Sequence, residues 1–181
     1  MFQKEWKILN SHIIHAWRGN ILREDSVQLP SGGKTEYTYL YHPGSVVIVP
    51  LSGNGRVIMV CQFRYTIGTE SLEFPTGIIE KDEEAVSAAK RELREETGLI
   101  ARSLTPLGSF FPSNGISNEL MHVFLARDVK QKDVSSSSVE QLEVFQISLD
   151  EVECKITHGE ITDGPTITAF YLTKRYMGGN Y

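Results

Sequence analysis

Residues 77–99, GIIEKDEEAVSAAKRELREETGL, decide how the rest of the chain is read. Val86, Ala89 and Leu93 recur at helical spacing, Asp82 is a residue type that caps a helix start, and Gly98 is placed to end the helix in a left-handed conformation. The spacing predicts a helix over 82–97. On that helix Glu92, Glu95 and Glu96 stand at i, i+3 and i+4, which puts three carboxylates on one face within a turn. Like charges this close repel. Arg91 and Arg94 flank them and offset part of the repulsion, each i,i+4 pair contributing only ~0.2–0.5 kcal/mol. Taken alone, three glutamates read as a solvated, salt-bridged helix face.

Upstream of this segment, 45–49 is a continuous, mostly β-branched run, the signature of a strand buried on both faces. The turn Ser52-Gly53-Asn54-Gly55 leads into a second apolar strand over 56–63, so the two should form a hairpin. Before His42-Pro43-Gly44 the pattern changes. Gly19-Asn20 and Pro30-Ser31-Gly32-Gly33 break residues 1–43 into short strands around 22–29 and 35–40, a small, mostly antiparallel sheet. The expected organisation is an N-terminal β subdomain over 1–43 and a core domain over 44–181. Further strands are expected at 121–126 and 142–147. Helices are expected near 148–154 and from Pro165, a good first-turn residue, to about 176. The serine run 135–138 reads as an exposed loop.

Composition narrows the function classes. A chain of 181 residues with 40% hydrophobic content can bury one sizeable core. No apolar run approaches the roughly 18 residues of a membrane span, and the start lacks the order of a secretory signal, so a soluble, cytoplasmic protein is expected with no membrane partner. Cys61 and Cys154 are the two cysteines, which points to neither a disulfide framework nor a cysteine-based zinc site. The five histidines have no spacing of a transition-metal site. A net charge of −5 argues against a nucleic-acid polymer as partner, since binding a phosphate backbone relies on clustered Lys and Arg. An anionic small substrate would have to be met by local positive charge or a metal. Nothing has the form of a nucleophile elbow, so acyl transfer has no support.

Gly77, Glu83, Arg91-Glu92-Leu93, Glu95-Glu96 and Gly98-Leu99 stand at the spacing of the Nudix box, and the segment resembles it without a departure. The resemblance implies an α/β fold: an α/β/α sandwich with a mixed central sheet, the box forming loop, helix and loop. It also implies Mg²⁺-dependent hydrolysis of a nucleoside diphosphate derivative, with Mn²⁺ as an alternative ion. Magnesium prefers octahedral oxygen ligands and is held by carboxylates, substrate phosphates and water together. By resemblance Glu92 and Glu96 are direct ligands, Glu95 is a ligand or holds metal-bound water, and the Thr76 carbonyl is a further ligand. Glu83 is a supporting residue, and Arg91 orients the carboxylates through its rigid fork of donors. The general base of the nucleotide-sugar branch often lies on a loop before a late strand, where Glu140 stands; Glu95 and Glu143 are the other carboxylates considered.

The substrate class comes from residues around the box. Gln62-Phe63-Arg64-Tyr65 and Leu72-Glu73-Phe74-Pro75-Thr76-Gly77 resemble the lead-in of ADP-ribose and GDP-mannose pyrophosphatases. That likeness implies Arg64 on the diphosphate or nucleotide and Glu73 shaping the pocket. Residues 112–119 resemble the family's substrate loop, with Glu119 facing a sugar or ribose hydroxyl. ADP-ribose enzymes usually carry proline sixteen residues beyond the last box glycine, where this chain has Asn114, so a GDP- or UDP-linked sugar fits equally. In the resembling enzymes the N-terminal strands pack against a second subunit and enclose the nucleotide. A homodimer is therefore expected, with Trp6, Trp17, Tyr37 and Tyr39 as the aromatics available for base stacking. The rival readings are hydrolysis of another derivative such as a dinucleotide, and a non-catalytic nucleotide-sugar sensor, which would have no need to keep every box glutamate.

Overall fold

The computed structural model describes residues 5–131 and 142–178. The chain divides into two compact units, one holding residues up to Gly44 together with Phe111–Leu120, the other Ser45–Phe110 together with Met121 onward.

In the N-terminal unit β1 (Lys7–Trp17), β2 (Asn20–Gln28) and β3 (Lys34–Tyr41) form an antiparallel meander. Its turns fall where the sequence places Gly and Pro: Arg18 and Gly19 both take positive φ, and a backbone bond from Leu29 N–H to the Gly33 carbonyl at 2.8 Å closes the second turn. β2 and β3 pair without interruption from Ile21↔Tyr41 to Gln28↔Lys34. β1 slips register between Ile8 and Asn10 and again between Ile13 and His15, and all its residues are exposed. The 111–120 segment joins this unit through a parallel bridge between Leu40 and Ser117. The Asn118 amide also accepts from the His42 N–H at 2.8 Å and donates to the His42 carbonyl at 3.3 Å.

The core unit runs β4 (Ser45–Leu51), β5 (Arg56–Arg64), β6 (Thr69–Glu73), β7 (Thr76–Ile78), α1 (Ala85–Thr97), β8 (Leu99–Ile100), β9 (Ser103–Phe110), β10 (Met121–Arg127), β11 (Lys130–Gln131), β12 (Glu143–Ser148), α2 (Leu149–Thr157) and α3 (Gly164–Tyr176). Seven of its strands make one mixed sheet in the order β12-β5-β4-β10-β9, with β6 against β5 and β7 against β4. β4 and β10 are parallel, from Ser45↔Met121 to Leu51↔Arg127, and the other pairs are antiparallel. The expected β4–β5 hairpin is short. Its strands meet at Leu51↔Val57, after which β7 takes over pairing with β4 and β6 with β5.

Period-two alternation along the central strands sorts the core into two layers. Val46 and Ile48 of β4, Ile58 of β5 and Phe124 and Ala126 of β10 pack with Ala88, Ala89 and Leu93 of α1. Their neighbours Val47, Val49, Val57, Met59, Val123 and Leu125 pack with Val152 of α2 and with Ala169 and Phe170 of α3. The sheet is thus sandwiched between helices, and α1 is held by a largely apolar face of Ala88, Ala89 and Leu93 with Thr97 beside them; truncating Leu93 to alanine would cost about 2–5 kcal/mol.

The helix boundaries show which local signals act. Gly98 ends α1 at φ 70°, its N–H bonded to the Arg94 carbonyl at 2.9 Å. Asp82 is not the cap: α1 begins at Ala85 after Glu84, which makes no side-chain capping bond, and Asp82 lies in the preceding loop at φ 64°. That loop is closed instead by Glu83, whose carboxylate accepts from the Glu80 N–H at 3.0 Å. α2 carries a reciprocal capping box between Ser148 and Glu151, and Asp163 caps α3 ahead of Pro165.

Candidate active site

Glu92 and Glu96 of α1 lie beside β7, and Arg91 ties Glu92 and Glu95 together. Its Nε and Nη2 donate to the two oxygens of Glu83 at 3.0 and 2.9 Å, its Nη1 to Glu92 at 2.6 Å and to Glu95 at 3.3 Å, and Nη2 also to the Ile78 carbonyl at 2.9 Å. One planar fork thereby ties the loop before the helix to the carboxylate face. The Arg91 bond holds Glu83 below the usual carboxylate range, while the same contacts raise the arginine. Gly77 leaves the space that Glu92 occupies. A Cβ there would overlap the carboxyl group of Glu92, so the bare backbone lets that side chain lie against β7.

Glu96 sits deeper. Its Oε2 accepts from the Thr76 N–H at 3.2 Å, and burial pushes its carboxyl up to about 8, the Thr76 bond opposing that rise and Glu92 adding to it. Burial likewise raises Glu92, against the pull of Arg91. A site that makes carboxylates costly to ionise is one that gains from a cation. Among the described residues, however, no three Asp, Glu, His or Cys side chains already converge on one point, because Glu92 and Glu95 are turned onto Arg91 and Glu96 onto Thr76. The donor set has the hard oxygen chemistry that suits a divalent cation, and filling it requires the carboxylates to swing away from the arginine.

Next to it, Glu73 at the end of β6 is 2% exposed and receives Arg64 side-on: Nε at 2.8 Å to one oxygen, Nη2 in a shorter bond to the other, with Gln62 Nε2 at 3.3 Å. Asp163 also feels this pair, and its carboxyl is raised by its own burial, partly relieved by its bonds to Thr166.

The other expected residues are placed apart. Glu143 is exposed on β12 opposite Cys61. Glu140 lies outside the described residues. Glu119 belongs to the N-terminal unit, where its Oε1 is 3.8 Å from His42 Nδ1 and its N–H bonds Ser117 Oγ at 3.0 Å. That unit holds a cavity of about 590 Å³ lined by Trp6, Tyr37, Tyr39 and Phe111 among others. Trp17 is not part of it and stacks on His15. Asp25 lines the same cavity; its Oδ2 accepts from Tyr39 at 3.1 Å, and its buried Oδ1 has no hydrogen-bond partner among the described residues. Asp25, Asp163 and Thr166 carry no local motif, so only the fold reveals them.

Residues 40–170 match the NUDIX domain, and the chain belongs to that family. Nudix hydrolases generally use divalent metal ions. The chain is 35% identical over 147 residues, 80% of each protein, to an ADP-ribose pyrophosphatase of Bacillus subtilis. It is 30% identical over 167 residues to a methanol dehydrogenase activator of Bacillus methanolicus, covering 91% of this chain and 90% of the other. The crystal structure of an ADP compounds hydrolase superposes with a TM-score of 0.86 over 99% of this chain and all of the other, at 20% identity, so that likeness speaks for the fold.

Proposed function

We propose that the protein hydrolyses the diphosphate bond of a nucleoside diphosphate sugar, ADP-ribose, GDP-mannose or a similar compound, to nucleoside monophosphate and sugar phosphate with Mg²⁺. The observation that carries this reading is the face of α1, where Glu92 lies against Gly77 and Glu96 against Thr76, while one arginine holds Glu92 and Glu95. Glu92, Glu95, Glu96 and the Thr76 carbonyl would hold the ion, and when bound it would supply positive charge against the diphosphate and lower the pKa of the attacking water. Arg91 keeps the carboxylates spread before the ion arrives. Arg64, with Nε and Nη2 on Glu73, presents its Nη1 edge to a phosphate oxygen. Glu140 takes the proton from water, with Glu95 and Glu143 the alternatives. Glu119 faces a sugar hydroxyl. The aromatic cavity of the N-terminal unit suits a nucleobase.

A homodimer is part of this reading. β1 exposes Ile8, Leu9, Ile13, Ile14 and Trp17 on both its faces, more apolar surface than a three-stranded sheet leaves to water without a partner. A cytoplasmic location accords with free cysteines at Cys61 and Cys154, and no helix among the described residues is long and apolar enough to cross a membrane. The name of the Bacillus methanolicus relative supports a second reading, action on an alcohol dehydrogenase.

The test is a panel of nucleoside diphosphate sugars, ADP-ribose and dinucleotides incubated with Mg²⁺ and resolved by chromatography. Nucleoside monophosphate should accumulate, fastest from one of the sugars. No product from any member, or product formed equally well in EDTA, refutes the proposal. A monomer by light scattering at micromolar concentration removes the dimer.

A further inference from the structure

The six residues from Glu73 to Ile78 carry much of the candidate site, yet they begin with a gap in the sheet. β6 ends at Glu73 and β7 begins at Thr76, so Phe74 and Pro75 lie between ladders. Proline has no N–H to satisfy, but Phe74 does, and Phe74 is wholly buried. Its N–H donates to Thr166 Oγ1 at 2.9 Å, across 92 positions of sequence, and Thr166 is itself wholly buried. The rest of the segment is tied in series. The Phe74 carbonyl accepts from Thr76 Oγ1 at 2.7 Å, the Pro75 carbonyl from the Ile48 N–H at 2.9 Å, and the Thr76 N–H donates to Glu96. Thr166 in turn is held by Asp163, whose Oδ2 accepts its N–H at 2.8 Å in the first turn of α3.

We infer that Thr166 is a positioning residue for the metal-binding face: its hydroxyl, set by the Asp163 cap of α3, fixes the Phe74 backbone and through it Thr76, whose N–H bonds Glu96. Neither α3 residue touches the carboxylates of α1; their effect passes along one backbone segment. Groups that hold a ligand from outside change metal affinity by roughly ten- to a hundredfold when removed, so the effect belongs on binding of the ion as well as on stability. The inference rests on the reading of Glu92, Glu95, Glu96 and Thr76 as the metal site.

The test is titration of the metal-free full chain with Mn²⁺ alone, free ion being read by electron paramagnetic resonance. Thr166→Val keeps the shape and removes the acceptor; Mn²⁺ affinity should fall about tenfold or more. Thr166→Ser restores the hydroxyl and should restore affinity. Val152→Ala, a truncation in the same apolar layer on α2, should lower the melting temperature while leaving Mn²⁺ affinity as in the wild type. If Thr166→Val does not fold, Asp163→Ala and Asp163→Asn take its place, the first expected to weaken Mn²⁺ and the second, which keeps a capping acceptor, to bind as the wild type does. Wild-type affinity in Thr166→Val or Asp163→Ala, or an equal loss in Val152→Ala, overturns the inference alone. Absence of Mn²⁺ uptake by the wild-type chain removes the metal site and the inference with it.

Discussion

The Arg64–Glu73 pair lets stability be separated from function. Glu73 is 2% exposed, whereas the Arg64 side chain is 42% exposed, so replacing the arginine forfeits little packing and strands a carboxylate that, among the described residues, Gln62 alone still bonds. Severing a buried pair in this one-sided way costs about 3–5 kcal/mol. For a chain of this size each kcal/mol moves the melting temperature by roughly 2–4 °C, so Arg64→Met should melt about 6–20 °C below the wild type in Mg²⁺-free buffer at pH 8. Glu73→Met in the same chain removes the orphan, and the double variant should recover most of the loss, because an apolar pair of similar volume replaces a buried ion pair at little cost. Turnover should not recover with it, since the guanidinium edge assigned to the phosphate is gone in both. Calorimetry on the wild type, the two single variants and the double variant gives the coupling; steady-state kinetics on the same four gives the functional side. Loss of less than about 1 kcal/mol in Arg64→Met, the range of an exposed pair, would show that Glu73 is not the buried partner described, and full activity in the double variant would remove Arg64 from the site.

Three further outcomes are expected. Gly77→Ala drives Glu92 off its place against β7, so Mg²⁺ activation should weaken by tenfold or more, with a stability loss of about 1–3 kcal/mol from overpacking; unchanged metal activation in that variant would show that Glu92 has room to spare. Glu96, raised to about 8 by burial, keeps in the folded state a proton that the unfolded chain releases near 4.5, so the metal-free protein should lose stability as pH rises through that window, by roughly 5 kcal/mol in all. Glu96→Gln should flatten that slope and Mg²⁺ should oppose it; melting curves in EDTA between pH 5 and pH 8.5 that do not distinguish the variant from the wild type would contradict the burial argument. Glu140→Gln should lower turnover by roughly 10²-fold with substrate affinity little changed, and near-normal turnover would pass the role of base to Glu95 or Glu143.

The residues differ in how much they betray themselves in sequence. Period 3.6 and a glycine stop give α1, and its carboxylate face follows from spacing alone, because both are local properties of a helix. Its start is misread. Asp82 has the chemistry of a cap, but the loop closes on Glu83 through Arg91, eight residues on, and that contact decides where the helix begins. β4 reads as a buried run and β10 as a strand, whereas their parallel pairing is not legible, since nothing local says which strand lies beside which. β9 goes unseen for the opposite reason: Pro106 and Gly108 break its pattern, and it lies at the edge of the sheet. In the site, Gly77 is legible as part of a motif while its reason, the carboxyl group of Glu92 in the space a side chain would fill, appears only with coordinates. Asp163 and Thr166 read as an ordinary helix start, and their tie to Phe74 spans a distance that no spacing rule reaches.

Because Phe111–Leu120 leaves the core after β9 and returns to it at β10, the N-terminal unit is stitched from two separate lengths of chain. Severing the protein after Gly44 would deprive the first length of Asn118, whose amide grips the His42 backbone, and of the strand-like partner for Leu40. The unit is therefore no cassette that recombination could lift out whole. A relative that exchanged its first forty-odd residues would have to change the inserted decapeptide in step, and a circular permutation opened inside that insert would cost more than one opened in the Ser52–Gly55 turn.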